Sequence, residues 1–123
     1  MPHLTIDYSP NLEDAVEGLC DAVRRAAIET GVFPMPGIRV RAFRADHASV
    51  ADGDPKHGYV DISIRLRAGR TDEQKRRAAR GVFEAARAHL APAMETRSIA
   101  LSLELRDIDP DLSPKTGTIR DHL

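Results

Sequence analysis

The sequence predicts a mixed α/β chain of order β-α-β-β-α-β, an α+β arrangement with one four-stranded sheet and two helices on one of its faces. Three observations predict it: four segments alternate apolar and polar residues with the two-residue period of a strand, two segments carry apolar residues at helical spacing, and strand-helix-strand occurs twice, at about 2–46 and 58–106. A chain of 123 residues has the size of a single domain, 1–123, and neither half is large enough to cover both faces of its own strands, so the halves should share a sheet. A helical crossover is the connection that parallel strands need, so the two strands within each half should run parallel with both helices on the same face. No third helix remains for the opposite face, and self-association would cover it.

In chain order, His3 to Tyr8 alternates with Leu4, Ile6 and Tyr8 on one side. Ser9-Pro10 breaks this strand, and Asn11 is a suitable N-cap for a helix whose stripe is Ala15, Val16, Leu19, Cys20, Val23, Ala26 and Ala27, ending near Gly31. Pro34, Pro36 and Gly37 turn the chain into a second strand, with Ile38, Val40 and Ala42 on one face and Arg39, Arg41 and Phe43 on the other. Residues 45–58 form a polar loop around the turn Asp52-Gly53-Asp54-Pro55, long enough to act as a lid. Val60, Ile62, Ile64 and Leu66 define a third strand that stops at Ala68-Gly69-Arg70. Thr71 with Gln74 makes a capping box, and Ala78, Ala79, Val82, Ala86, His89 and Leu90 form the stripe of a helix that Pro92 should end. Ile99, Leu101, Leu103 and Leu105 mark the fourth strand, and the tail from Asp107, with Pro110 and Pro114, should be irregular.

Eighteen basic against nineteen acidic residues leave a net charge of -1, which offers nucleic acid or an anionic membrane no global field. One cysteine, Cys20 on a helix stripe, excludes an internal disulfide framework and fits a reducing compartment, and without a membrane span or signal pattern the expected location is cytoplasmic. Five histidines show no metal-ligand spacing, and no phosphate loop or nucleophile elbow is present, so neither a metal nor another cofactor is expected.

Chemistry is concentrated at the start of the chain. Removal of Met1 would leave Pro2 with a free secondary amine, held by its ring at the head of a strand and able to act as a base. An unperturbed α-amino group has a pKa of about 7.7–8.0, so it needs desolvation or nearby cations to be neutral at working pH. One guanidinium about 6 Å away at an effective dielectric of about 20 contributes roughly 2.8 kcal/mol, about two pKa units. Arg39 and Arg41, two apart on a strand, and Arg70, beside Gly69 at a strand-to-helix junction, are the candidates, and arginine's planar fork also suits a carboxylate ligand.

Several segments resemble the tautomerase superfamily with a catalytic amino-terminal proline, and within it the 5-carboxymethyl-2-hydroxymuconate isomerases. They are Met1-Pro2-His3, Thr30-Gly31-Val32-Phe33-Pro34 running into Gly37-Ile38-Arg39-Val40-Arg41, Ala51-Asp52-Gly53, Ala68-Gly69-Arg70, Met94-Glu95-Thr96-Arg97, Ala100-Leu101-Ser102, and Asp109-Pro110-Asp111-Leu112 followed by Lys115. The resemblance implies a tautomerase-like β-α-β-β-α-β subunit, a homotrimer, and cofactor-free isomerisation of a small anionic dienol in 4-hydroxyphenylacetate catabolism through homoprotocatechuate. It implies that Pro2 takes the 2-hydroxyl proton and returns one at C5, and that Arg39 and Arg70 bind carboxylates, with Arg41 a looser match. Two other readings stay open: a tautomerase of the same fold acting on another enol acid such as phenylenolpyruvate, and a non-catalytic trimer that binds ligands.

Overall fold

In a computed structural model that describes all 123 residues, the two β-α-β halves form one sheet. The elements are β1 (His3–Tyr8), α1 (Leu19–Glu29), β2 (Arg39–Arg44), β3 (His57–Arg67), α2 (Asp72–Met94) and β4 (Ser98–Ile108). The strand order is β2-β1-β3-β4. β1 pairs parallel with β2, β3 pairs parallel with β4, and β1 joins the halves by antiparallel pairing with β3. The parallel pairing inside each half agrees with what the crossover helices require.

Both helices pack on the face made by Leu4, Ile6, Val60, Ile62, Ile64 and Leu66, none of which is more than 1 % exposed. Leu19, Val23, Ala26 and Ala27 of α1 and Ala78, Val82, Ala86 and Leu90 of α2 fill the space above them. The strict alternation of the strands is therefore a record of one covered and one uncovered face. Cys20 is half-buried against this core. No helix is long and apolar enough to cross a membrane.

The structure moves two sequence-based boundaries. The first helix begins at Leu19, not after Asn11, because Gly18 adopts a left-handed backbone with φ of 79°, which a continuing right-handed helix excludes. Asn11 instead sits in a short 3-10 turn, where its amide donates to the carbonyls of His57 (3.0 Å) and Pro55 (3.3 Å) and so ties the connector to the start of β3. The second helix does not stop at Pro92 but continues to Met94, since a proline in the last exposed turn costs one backbone bond without ending the helix. His89, expected on the apolar stripe of α2, has its Nε2 2.8 Å from the Glu17 carbonyl, with its ring against Gly18. Beyond Ile108 the tail forms two short 3-10 turns, Pro110–Leu112 and Ile119–His122.

Candidate active site

Pro2 is fully buried at the head of β1, and its carbonyl accepts a hydrogen bond from the Arg39 amide (3.2 Å). The parallel register that aligns His3 with Arg39 thus brings the start of the first half beside its last strand. Gly37 makes this approach possible. A Cβ there would stand 3.1 Å from Pro2 Cδ and 3.7 Å from Met1 Cα, so the bare backbone of Gly37 is the wall against which the proline ring rests.

Two adjoining clefts open around this point and share Met1, Gly37, Lys115 and Arg120. The larger, about 210 Å³, is lined by Arg39 and by Thr116 and Gly117 of the tail. The smaller, about 120 Å³, reaches Pro2, Arg67 and Arg70. Arg39 and Arg70, from different halves of the chain, are thereby brought to one place. Arg39 Nη1 donates to the Gly37 carbonyl (2.6 Å) and Arg70 Nη1 to the Arg67 carbonyl (3.2 Å), bonds that orient each guanidinium while leaving other donors free. Arg41 is not part of this group. It lies on the uncovered sheet face, where its Nη1 is 3.2 Å from His3 Nδ1.

The sequence reading missed three cations at the site: Arg67, which looks like an ordinary outward residue of an alternating strand, and Lys115 and Arg120, which lie in a tail without periodicity. No carboxylate lines either cleft, and none of Arg39, Arg67, Arg70, Lys115 and Arg120 forms an ion pair. The field this creates acts on the chain terminus. Burial pushes the Met1 amine below its usual 8.0, and Lys115, Arg39 and Arg67 push it the same way. With Met1 attached the Pro2 nitrogen is a tertiary amide without basicity. The site can therefore hold a multiply charged anion beside a terminal amine that is disfavoured as a cation.

No group of three His, Cys, Asp or Glu side chains is placed to hold a metal ion. The loop before β3 lies at the other end of the sheet, where His57 Nε2 is 2.8 Å from Asp52 and Nδ1 is 2.7 Å from Ser98 Oγ. Neither cleft at Pro2 is lined by any residue of 45–58, so the loop does not reach the site of its own chain.

The family model for 5-carboxymethyl-2-hydroxymuconate isomerase matches residues 2–123. The chain belongs to this family. It is 33% identical over 121 residues to a 5-carboxymethyl-2-hydroxymuconate Delta-isomerase of Escherichia coli, covering 97% of this chain and 96% of that protein. Among solved structures, a 5-carboxymethyl-2-hydroxymuconate delta-isomerase superposes with a TM-score of 0.91 at 29% identity, over 99% of this chain and 92% of the other. A 5-carboxymethyl-2-hydroxymuconate isomerase from Deinococcus radiodurans R1 gives 0.90 at 27% identity, over 98% and 92%. The expected tautomerase-like topology is thus that of the family.

Proposed function

We propose that the chain is a cytoplasmic, cofactor-independent isomerase that converts 5-carboxymethyl-2-hydroxymuconate to 5-carboxymethyl-2-oxo-hex-3-ene-1,6-dioate, with residues 1–123 as a single domain in a homotrimer. The observation that carries this reading is the meeting of the chain terminus with Arg39 and Arg70 in clefts that contain cations and no acid. Met1 is removed, and the Pro2 amine takes its place as the terminal base in a more enclosed position. The amine accepts the proton of the 2-hydroxyl. The C2–O bond becomes a carbonyl, the C2–C3 double bond shifts to C3–C4, and the electron pair freed from C4–C5 takes a proton from the ammonium at C5. One proton leaves oxygen and one arrives at carbon, so the amine ends as it began.

Arg39 and Arg70 bind substrate carboxylates and hold the dienol plane against the proline ring. They also keep the free amine from protonating, and substrate carboxylates that neutralise them raise its basicity once the ligand is in place. Arg41, on the uncovered face, is assigned to subunit contact instead of substrate. An enol acid with a single carboxylate, such as phenylenolpyruvate, would leave most of the five cations without a counter-charge, which disfavours that reading.

The test is the intact mass of the purified chain, followed by absorbance-monitored turnover for the wild type and Pro2→Ala. A mass lacking methionine and a loss of about 10²–10⁴-fold in the variant are expected for a proton shuttle of this kind. A retained methionine with full turnover, or turnover indifferent to the substitution, would remove Pro2 from the mechanism.

A further inference from the structure

Lys115 and Arg120 stand apart from the rest of the tail. Both line both clefts, whereas Arg39 lines only the larger and Arg70 only the smaller, so the two tail cations occupy the boundary between the two arginines. Residues 114–123 are exposed, and no hydrogen bond joins them to the rest of the chain; the Asp121 amide donates to the Thr118 carbonyl at the short turn Ile119–His122. No ion pair connects them to the body, and the charged side chains that share the two clefts with them, Arg39, Arg67 and Arg70, are all cations. A segment that brings two positive charges towards three others, with no bond to the body to hold it, lacks an anion between them.

We propose that Lys115 and Arg120 bind a third carboxylate of the substrate, lying between those taken by Arg39 and Arg70, and that this contact fastens the C-terminal strap over the bound ligand. The inference rests on the isomerase reading of the site and makes the strap the part that selects tricarboxylates over dicarboxylates. It also explains why the strap carries Thr116 and Gly117 into the wall of the larger cleft: small residues there let the chain pass close to the ligand while Lys115 and Arg120 reach in from either side.

The experiment uses the full chain and two probes that need no turnover, propane-1,2,3-tricarboxylate and glutarate, titrated by calorimetry into the wild type, Lys115→Met, Arg120→Met and Lys115→Arg. Each Met variant should lose about tenfold in affinity for the tricarboxylate, the worth of one charge-assisted hydrogen bond, with a much smaller loss for glutarate and recovery in Lys115→Arg. The tricarboxylate should also slow tryptic cleavage after Lys115 and Arg120 in the wild type. Unchanged affinity, an equal loss for both probes, or cleavage indifferent to the tricarboxylate would overturn the proposal. Turnover of 5-carboxymethyl-2-hydroxymuconate is read separately on the same samples. If the wild type fails to turn it over while the tricarboxylate selectivity holds, the substrate assignment falls and the strap's anion site stands. If turnover is normal and the Met variants bind the tricarboxylate as the wild type does, the strap proposal falls and the isomerase reading stands.

Discussion

At the scale of single residues, the site depends on how closely two backbones approach. Gly37 has an ordinary backbone conformation and is small for spatial reasons alone, because Pro2 Cδ would lie 3.1 Å from any Cβ. Gly37→Ala should therefore leave the fold in place and shift the proline ring by a few tenths of an ångström, lowering kcat by about tenfold with little change in Tm. A variant that retains full kcat would show that the ring position is not critical. Arg39 allows a second prediction with a definite sign. The base must be neutral to act; burial and then the neighbouring cations hold the Met1 amine below 8.0, and the same cations act in the same sense on a Pro2 amine in that place, so removing one of them lets the amine's pKa rise. The acid limb of kcat/KM should accordingly move to higher pH in Arg39→Met than in the wild type, alongside any rise in KM. An unmoved limb would mean that Arg39 does not act on the amine. Pro2, Arg39 and Arg70, which the structure brings to one place, were picked out in the sequence because Pro2 heads a strand and the family resemblance matches both arginines. Arg67, Lys115 and Arg120 were not, since only the folding of β3 and of the tail around Met1 gives them a common neighbour.

At the scale of elements, local chemistry was readable wherever one residue decides the outcome. The capping box closes as expected: the Thr71 hydroxyl accepts from the Gln74 amide (3.1 Å) and the Gln74 side chain accepts from the Thr71 amide (2.9 Å). Thr71→Ala should cost about 1 kcal/mol, read as a fall of a few degrees in Tm. The start of α1 was misplaced because Asn11 is a good cap in isolation, and only its bonds to the Pro55 and His57 carbonyls, from residues far along the chain, show where its side chain is used. That junction has its own tight point. A Cβ at Gly58 would meet Leu12 Cγ and Ser9 Oγ at 2.9 Å and Asn11 Oδ1 at 3.0 Å. Gly58→Ala should thus destabilise by about 1–3 kcal/mol while sparing the active site at the other end of the sheet. Chemical denaturation should show the loss, and the surviving folded protein should keep its KM.

At the scale of the whole molecule, the alternation of the strands announced an uncovered face, but its charge pattern needed the strand order. Register places Arg39, His3, Arg65 and Arg106 in one row across the four strands, and Asp7 and Asp61 with Phe43 and Ser102 two rows further along. The face is basic near Pro2 and acidic away from it, and Phe43 on it is 56% exposed. Covering this face in a homotrimer would desolvate His3, whose pKa is already lowered by burial first and then by Arg65, Arg41 and Arg39. Its Nδ1, 3.2 Å from Arg41 Nη1, accepts that bond only while unprotonated. Because the pKa in the folded chain lies below the unfolded 6.5, the stability linked to neutral His3 is complete above pH 6.5 and is lost as pH falls from there through the folded value. Sedimentation at pH 7.5 should give three times the chain mass, with a concentration-dependent Tm. Dissociation or a lower Tm should follow at about pH 5.5, and His3→Gln should weaken that acid sensitivity. A monomer at all concentrations would rule out the trimer, whereas a trimer whose acid sensitivity survives in His3→Gln would shift the titration to another group.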